Sequence, residues 1–122
     1  MENHPLVIII DDNTNILALF KEVLEMNGYQ VKTFEDFYSA LMYYKENQKE
    51  IKVVLLDMIQ PNTDYRITIP ALLAVNPEVN IICMSGSVDT RDLHEQVRDK
   101  IKYFLKKPFP IETILTELRK LI

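Results

Sequence analysis

At 122 residues, 48% hydrophobic and 26% charged, the chain has the length and composition of one folded domain with a sizeable hydrophobic core. A formal net charge of -4 argues against nucleic-acid binding by phosphate neutralisation, and no apolar run approaches the roughly 20 residues that span a bilayer. One cysteine, Cys83, excludes an intrachain disulfide, and "MENHPL" lacks the basic-then-apolar pattern of a signal peptide, so a cytoplasmic location is expected.

Residues 6–10, "LVIII", read as a fully apolar strand. Asp11 to Asn15 supply helix-capping types, and Ile16, Leu17, Phe20, Val23 and Leu24 follow at helical spacing. Gly28 closes that helix. "QVKTF" (30–34) is a second strand. Asp36 caps a helix to about Gln48, with Phe37, Ala40, Leu41 and Tyr44 on one face.

"KVVLLD" (52–57), "VNIICMS" (79–85) and "KYFLKKP" (102–108) read as three more strands. Residues 88–99 and 110–121 read as helices, the last amphipathic through Ile111, Ile114, Leu115, Leu118 and Leu121. Between the third and fourth strands, "DYRITIPALLAVNP" has to hold a helix, but Pro70 breaks a helix interior. Ile67, Thr68 and Ile69 are β-branched, and Ile69 precedes proline. The regular helix is therefore expected to start near Pro70 and to last about two turns, after a long loop.

Strands and helices alternate, and several strands are apolar along their whole length. That is the pattern of a parallel sheet covered by helices on both faces. In such sheets ligands sit at the carboxyl ends of the strands. Asp11 and Asp12, Asp57, Ser85 and Lys107 each lie at such an end. Each has a bland reading taken alone: an N-cap, a loop carboxylate, a turn serine, a solvated lysine. Their shared position points instead to one site.

Three clustered carboxylates repel unless a cation sits among them. A hard divalent ion such as Mg²⁺ suits oxygen ligands. An ionised aspartate can attack phosphorus to give an acyl phosphate, and the transferred group then needs cations on its oxygens. Lys107 supplies one such charge. Ser85 can donate a hydrogen bond, and Gly86 leaves room for the group to enter.

These residues resemble the receiver domain of two-component response regulators, across essentially the whole chain. The resemblance rests on "DD" after the first strand, "LLDMIQP" at the third, "MSG" after the fourth and "KPF" after the fifth. It implies a flavodoxin-like doubly wound sheet of five parallel strands in the order 2-1-3-4-5, with five helices, the third shortened by Pro70. It implies Asp57 as phosphoacceptor and a Mg²⁺ site (Mn²⁺ possible) formed by Asp12 as direct ligand, Asp11 as outer acid, Asp57 and the Ile59 backbone carbonyl. Ser85 and Gly86 match the phosphoryl-binding turn, Lys107 rather than Lys106 the pocket lysine, and Phe104 the aromatic switch. The Lys107–Pro108 bond is expected to be cis.

The expected activity is transfer of a phosphoryl group to Asp57 from phosphohistidine of a sensor kinase or phosphotransfer protein. The expected output is altered binding of a downstream protein through the fourth helix, fifth strand and fifth helix. The chain is then a single receiver domain over residues 1–122, not a multiple-turnover enzyme. There are departures from the family pattern. Gln60 stands where methionine is common, Tyr65 follows Asp64 where glycine is usual, and Pro70 falls inside the third helix. "DKIKYF" lacks a small Gly-Ala pair, and Phe104 has no hydroxyl.

Two other classes compete. One is a receiver-like binding module that is never phosphorylated, which the Tyr65–Pro70 segment leaves open. The other is an aspartate-nucleophile phosphatase of the haloacid dehalogenase type. That chemistry uses a second aspartate two positions after the nucleophile, where this chain has Ile59. His4 reads as part of a frayed terminus, His94 as a surface residue and Cys83 as a buried strand residue, and no His/Cys spacing suggests zinc.

Overall fold

The computed structural model describes residues 4–87, 93 and 95–122. In chain order the elements are β1 (Leu6–Ile10), α1 (Thr14–Met26), β2 (Gln30–Phe34), α2 (Phe37–Asn47), β3 (Ile51–Asp57), β4 (Ile59–Gln60), β5 (Thr63–Asp64), α3 (Tyr65–Val75), β6 (Ile81–Ser85), α4 (Glu95–Arg98), β7 (Ile101–Lys106) and α5 (Ile111–Leu121). Five strands form one parallel sheet in the order β2-β1-β3-β6-β7. Setting aside the short pair β4–β5, this is the expected 2-1-3-4-5 arrangement, and the fold is the expected flavodoxin-like doubly wound sheet.

The apolar strands are explained by their two faces. Side chains alternate across a strand, so Ile8, Ile10, Val54 and Leu56 enter one core with Phe37, Ala40, Tyr44, Ile69 and Leu72 from α2 and α3. Val7, Ile9, Val53 and Leu55 enter the other with Leu17, Phe20, Leu24, Ile114 and Leu118 from α1 and α5. Burying each of the Val, Leu, Ile and Phe side chains among them stabilises the fold by about 1.5–3 kcal/mol. Cys83 is buried in β6, and burial pushes its thiol up. Among the described residues no helix is long and apolar enough to cross a membrane.

Helix ends follow the capping residues. The Asn13 side chain accepts from the Asn15 and Ile16 N–H groups at 3.0 and 3.2 Å and starts α1. Gly28, with φ 92°, ends it: Gly28 N donates to Glu25 O and Tyr29 N to Leu24 O, each at 3.1 Å. Asp36 starts α2 by accepting from Ser39 N at 2.9 Å. His4 is better held than a terminal residue suggests, since its Nδ1 donates to Gly28 O at 2.9 Å. The predicted helix over 88–99 is described only for Glu95–Arg98, and His94 lies outside the described residues.

The third helix corrects the sequence expectation. It begins at Tyr65, not at Pro70, and at 11 residues it is as long as α2. Asp64 caps it, accepting from Arg66 N at 2.8 Å. Thr68, Ile69 and Leu72 are buried, and that tertiary burial overrides the poor helix propensity of the β-branched run. Pro70 sits inside the helix with its ring on the exposed side. The expected long loop is also absent. Pro61 and Asn62 make a turn that folds β4 back on β5 as an antiparallel pair.

Candidate functional site

The sheet ends deliver the acids. β1 stops at Ile10 and β3 at Asp57, so Asp11, Asp12 and Asp57 emerge side by side between neighbouring strands. Carboxylate oxygens of the three lie within 4.8 Å of one another. Two full charges at that separation repel by about 3 kcal/mol at an effective dielectric near 20. Asp11 is fully buried, Asp57 nearly so at 6% exposed, and Asp12 faces solvent.

Lys107, directly after β7, crosses the pocket. Its Nζ donates to Asp11 Oδ2 at 2.9 Å and lies 3.6 Å from Asp57 Oδ2. Lys106 is exposed within the strand, so of the two adjacent lysines Lys107 is the one that reaches the acids. The backbone supplies further donors: Asn13 N to Asp11 Oδ1 at 2.9 Å and Ile59 N to Asp57 Oδ1 at 3.2 Å. Lys107 N donates to Ser85 O at 2.8 Å, tying the fourth and fifth strand ends together. Ser85 is buried at the end of β6, and its Oγ accepts from Ser87 N at 3.1 Å. A Cβ at Gly86 would come within 3.9 Å of Lys107 Cβ, an ordinary contact. Phe104 is half-buried on β7 against the α2–α3 core. The Lys107–Pro108 peptide is cis.

Charge in the pocket is not balanced. Burial, then the Asp11 charge, push the Asp57 carboxyl up to about 6, while Lys107 and the Ile59 N–H pull it back. Burial acts to lower the Lys107 ammonium, but its hydrogen bond to Asp11 and the charges of Asp57 and Asp11 prevail and raise it. Among the described residues, one ammonium against three carboxylates leaves negative charge over. An oxygen-rich pocket of this kind, with Asp12 open to solvent at its mouth, fits a hard divalent cation.

One contributor was not assigned a role from sequence. Gln60 is buried, and its Nε2 donates to the main-chain carbonyl of Asp57 at 3.1 Å. The turn signal "QPNT" was the clue, because it folds the chain back beneath the pocket.

The chain matches the response regulator receiver domain family over residues 7–119 and belongs to it. It is 25% identical over 118 residues to the transcriptional regulatory protein PrrA of Mycobacterium bovis, covering 97% of this chain and 50% of PrrA. The chain thus spans about half the length of that relative. A response regulator receiver domain protein from Clostridium thermocellum superposes with a TM-score of 0.87 at 24% identity, over 96% of this chain and 93% of the other. The response regulator TrrA from Thermotoga maritima, solved in complex with Mg²⁺–BeF, gives a TM-score of 0.83 at 21% identity, over 96% and 98%.

Proposed function

We propose that this receiver domain accepts a phosphoryl group on Asp57 from a phosphohistidine of a sensor kinase or phosphotransfer protein, and that the modification switches binding of a downstream protein. The observation that carries this reading is the Asp57 carboxylate at a strand end, with the Lys107 ammonium 3.6 Å away and two further carboxylates within 4.8 Å.

An Asp57 oxygen attacks phosphorus, a P–O bond forms, and the P–N bond to the donor imidazole breaks. The imidazole leaves with the bonding pair and takes up a proton. Lys107 is placed to bind an oxygen of the incoming group, and Ser85 to donate its hydroxyl to another. Asp11 anchors Lys107, keeping the ammonium over the reacting centre. Asp12, Asp11, Asp57 and the Ile59 carbonyl would hold Mg²⁺, which when bound supplies positive charge for the phosphoryl oxygens. The Mg²⁺ held by TrrA supports that reading.

The new charge draws Ser85 and Lys107 inward, Phe104 repacks, and the surface of α4, β7 and α5 changes its affinity for a partner. This is a population shift between two states of one fold. The domain works stoichiometrically and is not a turnover enzyme. Incubation with Mg²⁺ and a small-molecule phosphodonor should give one acid-stable, base-labile phosphoryl adduct by intact mass. No adduct, or an adduct retained by Asp57→Asn, overturns the proposal.

A further inference from the structure

We infer that Gln60 is a positioning residue that holds the Asp57–Ile59 backbone in the geometry the pocket needs. This rests on the phosphoacceptor reading above. The argument begins with the alternation of main-chain bonds along β3. Val54 N donates to Asn80 O and Met58 N to Met84 O, each at 2.9 Å, so even-numbered residues bond toward β6. In a parallel sheet the next residue turns its N–H and C=O to the other neighbour. Asp57 therefore directs its carbonyl toward β1. The β1–β3 ladder ends at the pair Ile10–Leu56, one residue short of it.

The Gln60 side chain fills that gap. Its amide donates to Asp57 O at 3.1 Å from a position only 8% exposed. The antiparallel pairing of Gln60 with Thr63 brings the chain back so that Tyr65 N donates to Met58 O at 2.8 Å. With Ile59 N on Asp57 Oδ1 at 3.2 Å, each of residues 57, 58 and 59 is tied by its main chain. The Gln60 tie is made by a side chain that is not one of the pocket's acids, so it can be removed without altering the backbone chemistry or the carboxylates. A buried carbonyl that loses its donor becomes free to reorient toward water. Reorientation there moves both the Asp57 carboxylate and the Ile59 carbonyl.

The test compares Gln60→Met with the wild type, and uses Thr63→Val as a hairpin control that keeps the amide. Methionine is apolar and of similar length, so the fold is retained. Amide hydrogen exchange is measured without metal, and Mg²⁺ affinity by titration of backbone resonances. Gln60→Met should speed exchange of the Met58 and Ile59 amides about fivefold, leave β1 and α5 unchanged, and weaken Mg²⁺ binding about fivefold, the effect of one lost hydrogen bond. Thr63→Val should change neither quantity. Unaltered Met58 and Ile59 exchange, acceleration spread evenly over the sheet, or unaltered Mg²⁺ affinity each overturns the inference. If the wild type itself neither binds Mg²⁺ nor takes up a phosphoryl group, the phosphoacceptor reading fails, and the exchange measurement alone decides the role of Gln60.

Discussion

Asp57→Asn in the metal-free protein isolates the electrostatic cost of the pocket. Asparagine keeps the shape and an oxygen to accept from Ile59 N–H, but removes the charge that faces Asp11 and Asp12. In the folded chain the carboxyl is pushed from 3.8 to about 6, burial being the larger cause and Asp11 the next. At about 1.36 kcal/mol per unit, the full shift corresponds to about 3 kcal/mol. Water at the mouth, beside exposed Asp12, screens part of it, leaving about 1–2 kcal/mol. The pH dependence has a definite sign. Below 3.8 both folded and unfolded chains hold the proton, and Asp57 costs nothing. As pH rises from 3.8 to about 6 the unfolded chain gives up its proton first, so stability falls, and above about 6 the cost is complete. Urea unfolding in a chelator should therefore show Asp57→Asn more stable than wild type by about 1–2 kcal/mol near pH 7.5, with the gap falling to about half near pH 5. Saturating Mg²⁺ should reverse the order by stabilising the wild type more. A variant no more stable than the wild type near neutral pH, or a gap that stays constant as pH falls, refutes the argument.

Lys107→Met leaves the fully buried Asp11 without its ammonium. Metal-free stability near neutral pH should fall by about 2 kcal/mol, less than the roughly 3–5 kcal/mol for breaking a fully buried pair because Lys107 is partly exposed. Unchanged urea midpoints would contradict this, and the loss should shrink when Mg²⁺ is added. Thr68→Val replaces a buried hydroxyl that has no hydrogen-bond partner among the described residues. It should raise stability by about 1 kcal/mol in thermal or urea unfolding, and destabilisation would point to a hidden partner. Pro70→Ala restores an N–H inside α3 at an exposed position. The helix gains up to about 3 kcal/mol and the unfolded chain regains entropy worth about 1, so a net gain of about 1–2 kcal/mol is expected by urea unfolding.

The central strands were readable because burial on both faces leaves little place for a polar residue: β1 is apolar and buried at every position, whereas the edge strands β2 and β7 carry exposed Gln30, Lys32, Lys102 and Lys106. The caps were readable because Asn13, Asp36 and Gly28 act through bonds and dihedrals within a few residues of themselves. α3 was not readable in the same way. Its start depends on Thr68, Ile69 and Leu72 meeting a core built by strands and a helix distant in sequence, and local propensity carries no record of that. The hairpin was signalled by Pro61–Asn62, yet its consequence, a buried amide on the Asp57 carbonyl, is a tertiary fact.

The site was readable for a different reason. Polar residues that end buried strands are conspicuous against the apolar runs that carry them, and the sheet brings those ends together. The structure also separates the two acids of "VIIIDDN", which sequence leaves adjacent and alike. Asp11 is buried and paired, with Lys107 on one oxygen and the Asn13 N–H on the other. Asp12, one residue on, is exposed at the mouth. Two adjacent carboxylates thus have unequal surroundings, and the remaining repulsion falls on Asp57, the group raised to about 6. A chain selected for stability alone would place an amide there, as the Asp57→Asn argument shows. Retaining the carboxylate makes sense where its charge is needed to meet a cation and its oxygen to meet phosphorus.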